Sequence, residues 1–220
     1  MALSLINTLA SNQSPGGTVL NKDFNNSGGT DNYLFVAVTH SNNTHNVKYN
    51  NVAMILLGTT YFSGFQQRVA YWGLANPATG TNTIKITLGN SSWNKISLFA
   101  ASFTGCSGAG GYVGSGGSST PNEKTLTIAT NSRIYASGMS NGAQSNGYII
   151  GNTSPANVRA HLFSHNTNKI VKAALSPSLP GGITDVITRS NSTNISNVRI
   201  EIQEAASSGG DSEGNFFLCM

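Results

Sequence analysis

The sequence predicts an all-β protein built as an antiparallel β-sandwich, jelly-roll-like, with about ten to twelve strands. Three observations lead to this class. Short apolar segments recur along the 220 residues, with turn-forming residues between them. Charged residues make up only 9% of the chain. Asn, Ser, Thr and Gly replace them, and these residues favour turns and strands over helix interiors. No long segment carries a helical apolar stripe with capping residues.

The clearest single strand lies at 82–89. Ile84, Ile86 and Leu88 alternate there with polar side chains, which is the period-two pattern of a half-buried strand. The preceding segment, 76–82, reads NPATGTN and combines chain breakers with turn formers. The chain is therefore expected to reverse direction just before this strand.

Two other strands, 31–40 and 95–104, carry apolar residues on both faces. Leu34 and Val36 alternate with Tyr33 and Phe35 in the first of them. A strand with two apolar faces is buried on both sides, so we expect both segments to be central in a sheet.

The remaining strand patterns lie between clusters of turn formers; they are 47–58, 67–75, 123–129, 132–140, 157–164, 168–175, 183–188 and 198–204, with 18–22 and 148–151 as weaker candidates. The last long pair predicts a hairpin around 165–167. The Gly-rich segment 105–122 reads as a long loop, with at most a short strand near 112–113. No internal repeat is evident, and we expect a single sandwich domain over 1–204.

The charge pattern argues against nucleic acid and membrane partners. Twelve basic and eight acidic residues give a net charge of +4, but the basic residues are spread singly along the chain. Such charges solubilise a surface rather than bind phosphates. No apolar run approaches the roughly 20 residues of a membrane span. The segment 1–13 lacks the positive start of a secretory signal, so synthesis and assembly are expected in a cytoplasm.

Motifs for nucleophilic or metal chemistry are weak. The segment 138–142, GMSNG, matches the nucleophile-elbow pattern, but the residues after it do not form a helix, so we expect an ordinary turn. His161 and His165 share one face of a predicted strand, but an i, i+4 pair on a strand is roughly 13–14 Å apart and cannot share one ion. Together with His40 and His45, they are expected to be surface histidines.

The carboxylates offer no catalytic pair. Glu201 and Glu204 fall on opposite faces of one strand, whereas glycosidases need two facing carboxylates. The nearest approach to a calcium loop is Asp31-Asn32 beside the asparagines at 25–26. We therefore expect no enzyme activity, no cofactor and no metal.

The two cysteines, Cys106 and Cys219, leave two readings open. They form a single bridge, or they are two separate thiols, and the second reading is favoured because two cysteines do not make a disulfide framework.

The segment 205–220 differs from the rest of the chain. The linker SSGGDSEG leads to three adjacent apolar residues, Phe216, Phe217 and Leu218. In water these side chains would be exposed, so the segment is expected to fold back on the sandwich or to dock on a neighbouring subunit.

One end of the predicted sandwich gathers aromatic residues. Each strand carries the chain from one end to the other, so the loops 58–66 and 90–94 lie at the same end. The aromatic residues there are Tyr61, Phe62, Phe65 and Trp93. Three roles fit them: a cap over the core, a protein interface, or a glycan surface.

Several of these strands and turns match a known pattern. The segment 69–81 reads VAYWGLANPATGT, in which aromatic and aliphatic residues precede Asn-Pro and a Thr-Gly-Thr turn. The matching segments are 47–54, 69–81, 83–88, 102–105 and 198–204. They resemble a β-sandwich module that recurs in bacteriophage structural proteins and in secreted bacterial proteins. The resemblance covers most of 30–204. It implies a fold and carries no catalytic residues.

The resemblance and the missing secretory signal together imply a non-enzymatic virion protein of a bacteriophage. Capsid decoration, a head fibre and a tail accessory component all fit, with other virion proteins and further copies of the chain as partners. The alternative is a carbohydrate-binding or adhesive module that recognises a host-surface glycan.

Overall fold

The computed structural model describes residues 2–13, 18–41, 45–62, 67–89, 96–117, 125–141, 159–166, 169–176, 184–186 and 195–206. Every regular element in these ranges is a β-strand; there are sixteen, and thirteen of them have five or more residues. All the strand pairs are antiparallel. The predicted all-β, antiparallel sandwich is confirmed. No helix in the described ranges could cross a membrane.

In chain order the strands are β1 (Ser4–Gln13), β2 (Val19–Asn26), β3 (Tyr33–Ser41), β4 (His45–Tyr49), β5 (Val52–Ala53), β6 (Ile55–Phe62), β7 (Gln67–Ala75), β8 (Gly80–Leu88), β9 (Ile96–Thr104), β10 (Cys106–Gly117), β11 (Thr125–Thr127), β12 (Arg133–Asn141), β13 (Arg159–Asn166), β14 (Lys169–Leu175), β15 (Thr184–Val186) and β16 (Ile195–Glu204).

The first nine strands form one jelly roll, which we call unit 1. Sheet A has the order β1-β9-β3-β7-β6, and sheet B has the order β2-β8-β4-β5. The strands β5 and β6 are two halves of one long strand that changes sheets at Met54, whose N–H bonds the carbonyl of Val47 at 2.9 Å. Counted as one, they give the eight strands of a jelly roll.

The last seven strands, which we call unit 2, repeat this order. Sheet C runs β10-β16-β12-β14-β13, and sheet D runs β11-β15, so each strand has a counterpart at the same place in unit 1. The turn before β3 is repeated before β12, with Asp31 at φ 50° and Asn131 at φ 61°. The chain is thus a tandem of two jelly-roll units, a repeat that the sequence analysis missed. Whether 1–204 folds as a single domain stays a prediction.

The four sheets stack in the order B, A, C, D, and sheet A is covered on both faces. One core lies between sheets A and B, and a second lies between sheets A and C. In β9, eight of the nine residues are buried. The two strands predicted to be central from their apolar faces, β3 and β9, are neighbours inside this central sheet.

The core between the units is rich in aromatic rings. The Tyr71 ring of β7 meets the Tyr135 ring of β12 edge-on, with the centroids 5.2 Å apart. Phe35 and Phe103 pack edge-on at 5.9 Å on the sheet A side. Aromatic pairs in this geometry stabilise a core beyond the effect of their buried area. The two units therefore share one continuous apolar interface.

The structure corrects the prediction for the Gly-rich segment. Residues 106–117 form the twelve-residue strand β10, where the sequence analysis predicts a long loop. The glycines are needed for close packing. A Cβ at Gly110 would overlap the carboxylate of Glu201, and a Cβ at Gly114 would overlap the hydroxyl of Thr60. Residues 118–122 of the predicted loop lie outside the described residues.

The hairpin predicted around 165–167 is confirmed, because β13 pairs with β14 from Asn166 and Lys169 onward.

Candidate functional site

The strands of unit 1 bring four connections to one end of the sandwich, which we call the loop end. Gln13 pairs with Ile96, and Ser41 and Phe62 both pair with Gln67, so these strands stop at the same level. The connections that start there are 14–17, 42–44, 63–66 and 90–95, and all lie outside the described residues. The register thus agrees with the strand-parity argument that put the loops 58–66 and 90–94 at the same end, although β6 continues to Phe62 and the first connection begins only at 63.

Unit 2 points its corresponding end in the same direction. A Cβ at Gly58 would lie 2.7 Å from the Tyr112 ring, and a Cβ at Gly114 would meet Thr60. Position 58 is therefore beside 112 and position 60 is beside 114, so β6 and β10 run parallel along the flank. Both strands run toward the loop end. The connections 118–124, 167–168 and 187–194 consequently start at the loop end too.

The opposite end, which we call the turn end, is closed by short turns. The Asn26 amide donates to the carbonyls of Pro77 and Ala78 at 3.1 Å, and the Asn32 amide donates to Asn26 Oδ1 at 3.2 Å. These asparagines, part of the calcium-loop candidate, tie the 76–79 turn to the start of β3. The Asn26 amide bonds the backbone of the turn, and the Asn32 amide bonds the Asn26 side chain, so both buried amide groups have acceptors.

At the loop end the described residues form a cross-strand row on sheet A. Tyr61 pairs with Arg68, and Arg68 pairs with His40. The Arg68 guanidinium lies 5.2 Å from the centre of the Tyr61 ring, within the range of a cation–π contact. Tyr61 is 41% exposed. One face of its ring is thus occupied by Arg68, so a sugar could stack only on the other face.

The structure places only one of the four predicted aromatic residues in this row. Phe62 ends β6, and its side chain is outside the described residues, as are Phe65 and Trp93. Sequence reasoning missed Arg68 and His40, because only the register brings them beside Tyr61. The prediction that His40 is a surface residue is wrong: it is 2% exposed, since it continues the face of β3 that packs against sheet B.

The described residues form no catalytic centre that we recognise from geometry. Residues 138–141 belong to β12, so the turn expected there is wrong, and the strand–turn–helix of a nucleophile elbow is not formed in that stretch. The described part of the chain contains no group of three His, Cys, Asp or Glu residues that could hold a metal. The buried carboxylate of Glu201 accepts hydrogen bonds from the N–H groups of Gly111 and Ala129, at 3.1 and 2.6 Å.

Cys106 is a buried free thiol at the junction of the two units. Burial raises the pKa of this thiol to about 11. Cys219 and the predicted docking residues Phe216, Phe217 and Leu218 lie outside the described residues.

No protein-family model, no curated protein and no solved structure matches this chain. The class of protein is therefore defined by its strand order alone: a tandem of two antiparallel jelly-roll units packed face to face.

Proposed function

We propose that this chain is a non-enzymatic structural protein of a bacteriophage particle, assembled in the host cytoplasm. Capsid decoration, a head fibre and a tail accessory component are the roles that fit. The observation that carries the proposal is the tandem jelly roll with the connections of both units at one end. Jelly rolls occur in viral capsid proteins and in lectin domains. This support is an analogy of fold, because a fold alone does not define a function.

The arrangement of strands and connections supports an interaction role. Four stacked sheets form the scaffold, and recognition residues on proteins are commonly carried by loops that a rigid scaffold positions. In a symmetric assembly, every copy would present the same loop end in the same orientation. Tyr61 and Arg68 lie at this end, and tyrosine and arginine are enriched at protein interfaces.

The composition and the resemblance support the same role. Only 9% of the residues are charged, which leaves a surface of neutral amides and hydroxyls. The segments that resemble the phage module are strands and turns of both units, among them β5, β7, β8, β9 and β16. A resemblance in core strands supports a shared scaffold, and the scaffold is what a structural protein contributes.

The first experiment asks whether the chain is part of a particle. Antibodies raised against the purified protein would be used for immunogold electron microscopy of particles from the source phage, with mass spectrometry of the same particles. We expect label at regular positions and peptides from the chain. Particles that lack the protein would overturn the proposal.

The second experiment tests the loop end. In a phage carrying Tyr61→Ala with Arg68→Ala, we expect incorporation of the protein to fall by about tenfold, which corresponds to a loss of about 1.4 kcal/mol of binding free energy. Lys85→Ala is the matched control, because Lys85 is exposed within β8 on the outer face of sheet B, between Ile84 and Ile86, which face the core. Equal incorporation of both variants would remove the loop end from the proposal.

A glycan array distinguishes the structural role from the alternative, a carbohydrate-binding or adhesive module. Binding of the wild-type protein to glycans, lost in the double variant while particle incorporation stays normal, would favour the adhesive module over the structural role.

A further inference from the structure

An apolar patch lies on the flank where the two units meet, and we call it the flank patch. It consists of four large apolar side chains that are between 46% and 67% exposed: Val52, Ile55, Leu56 and Tyr112. Large exposed apolar residues occur singly on ordinary surfaces, but a cluster of them marks an interaction site.

The patch lies where three sheets end. β5 is the last strand of sheet B, β6 is the last strand of sheet A, and β10 is the last strand of sheet C. Tyr112 of β10 reaches across to Gly58 of β6, where the missing side chain leaves room for its ring. Edge strands of this kind are normally shielded by a covering segment or by charges. None of the four patch residues is charged.

The chain leaves unit 2 beside this patch. Glu204 pairs with Cys106 at the start of β10, and the Ala205 N–H donates to the carbonyl of Gly105 at 2.8 Å. Tyr112 of the patch pairs with Ile200, which lies four residues before Glu204 on β16. β16 is one strand inward from β10, so its last residue is about 10–15 Å from the patch by ordinary strand and sheet spacings.

We propose that residues 216–220 of the same chain dock on the flank patch and cover it. This segment reads FFLCM, and it is joined to Ala206 by the polar linker that follows β16. Nine residues, 207–215, lie between Ala206 and Phe216, so ten Cα–Cα steps join the two. A flexible linker of this length has an r.m.s. span of about 16–19 Å and a maximum of about 33–36 Å. The average span fits the distance, so the effective concentration of the segment at its own patch is high.

The native thiol of Cys219 allows a direct test that does not depend on the virion role. In the full chain with Ile55→Cys, docking brings the two thiols within the Cα separation of a disulfide, about 4.4–6.8 Å. Copper phenanthroline with dissolved oxygen would serve as the oxidant. We expect a disulfide between positions 55 and 219, seen by peptide mass spectrometry, in a band of monomer size on a non-reducing gel. Cys106 should not compete, because it is buried and its pKa is raised.

The matched control is Val19→Cys, which places an exposed thiol on β2 near the loop end. We expect the bond to position 55 to form at least about tenfold faster than the bond to position 19. Similar rates at both positions would overturn the proposal. A bond between positions 55 and 219 that appears only in dimers would overturn it in favour of exchange between copies.

A second measurement uses no new cysteine. The chain ending at Ala206 should bind more of the apolar dye ANS than the full chain, because the flank patch is uncovered. Ile55→Lys with Leu56→Lys in the truncated chain should remove the extra binding. Equal dye binding by the full and truncated chains would contradict the docking.

Discussion

At the residue scale, Glu201 is a charged side chain that the sequence gives no reason to bury. It belongs to β16, its side chain is 3% exposed, and it bonds the backbone that follows β11 of sheet D. Its two oxygens accept from the N–H groups of Gly111 and Ala129, and the Gln203 amide donates to the same carboxylate at 3.2 Å. A buried carboxylate is tolerated when donors of this kind replace water. Glu201 therefore joins β10, the turn after β11, and β16.

Replacing Glu201 with Gln should destabilise the protein by about 1–3 kcal/mol. Glutamine offers one acceptor oxygen instead of two, so one of the two backbone N–H groups loses its partner or faces an amide NH₂ group. Urea unfolding measures the change. Glu204→Gln is the matched control, because Glu204 is only partly buried; it should shift the free energy of unfolding by less than about 0.5 kcal/mol. An equal effect of the two substitutions would contradict the structural role of Glu201.

Three buried ionisable side chains lie in the core between the units: Tyr71, Cys106 and Tyr135. Burial raises the pKa of the Cys106 thiol to about 11, and burial is also the largest cause of the raised pKa values of Tyr71 and Tyr135. The folded protein thus keeps these protons to a higher pH than the unfolded chain does. Unfolding releases protons once the pH passes the unfolded values of about 9–10, so the free energy of unfolding falls as the pH rises.

We expect stability to be lost from about pH 9 upward, with a slope of up to about 1.4 kcal/mol per pH unit for each group. Tyr135→Phe keeps the ring contact with Tyr71 and removes one ionisable group. It should reduce the slope between about pH 10 and 11 by up to that amount, as measured by urea unfolding in a pH series. Tyr61→Phe changes an exposed tyrosine and serves as the control. A slope unchanged by Tyr135→Phe would refute this explanation.

The candidate site shows which features can be predicted from residue patterns and which cannot. Strand parity correctly brings the connections around the aromatic residues to one end, because parity depends only on the number of strands between them. The pattern could not pair Tyr61 with Arg68 or bury His40. Those contacts depend on the register between strands that are distant in sequence, and a shift of one residue would turn each side chain to the other face.

At the element scale, β10 shows why glycine content misled the prediction. Gly-rich segments are typical of loops, but glycine also occurs in strands where another group approaches the backbone closely. In β10 the approaching groups are the Glu201 carboxylate at Gly110 and the Thr60 hydroxyl at Gly114. These neighbours come from other strands, so nothing within residues 105–122 reveals them.

Gly110→Ala should therefore destabilise the protein by about 2–3 kcal/mol, because the new methyl group displaces the Glu201 carboxylate from its donors. Gly111→Ala is the matched control in the same strand. Its Cβ would meet only the end of the Leu126 side chain, at 3.1 Å, and that end can shift. We expect a loss below about 1 kcal/mol for it. Thermal unfolding of both variants checks the difference, and a larger loss in the control would argue against the close approach at Gly110.

The strand β1 was missed for a different reason. Its register shifts between Leu5 and Asn7, which marks a β-bulge. Before the shift, Leu3 and Leu5 face the core between the units, and after it Ala10 faces the same core while Leu9 faces sheet B. The bulge changes the parity of the apolar positions, so no single alternating pattern spans the strand. By contrast β3 and β9, with unbroken registers, were predicted correctly.

At the scale of the whole molecule, the tandem repeat is preserved in strand order and weakly in sequence. The two units share the turn that leads into β3 and β12, where Thr30 and Thr130 precede Asp31 and Asn131. Both turns place the second residue at positive φ, a conformation that Asp and Asn tolerate better than most residues. Agreements as short as this two-residue match occur by chance in a chain rich in Asn, Ser and Thr. The repeat therefore became visible only through the order of the strands.

Because residues of both units pack in one core, we expect each unit to depend on the other for stability. Residues 1–104 alone would expose the sheet A side of the inter-unit core, including Phe35, Tyr71, Phe99 and Phe103. An apolar face of that kind is not stable in water as a free surface. We therefore expect fragment 1–104 to form dimers or aggregates in size-exclusion chromatography with light scattering. When it is co-expressed with fragment 105–220, we expect a one-to-one complex instead, because unit 2 covers the face. A monomeric 1–104 that unfolds cooperatively and binds no ANS would show that the units are independent domains and that their contact is dispensable.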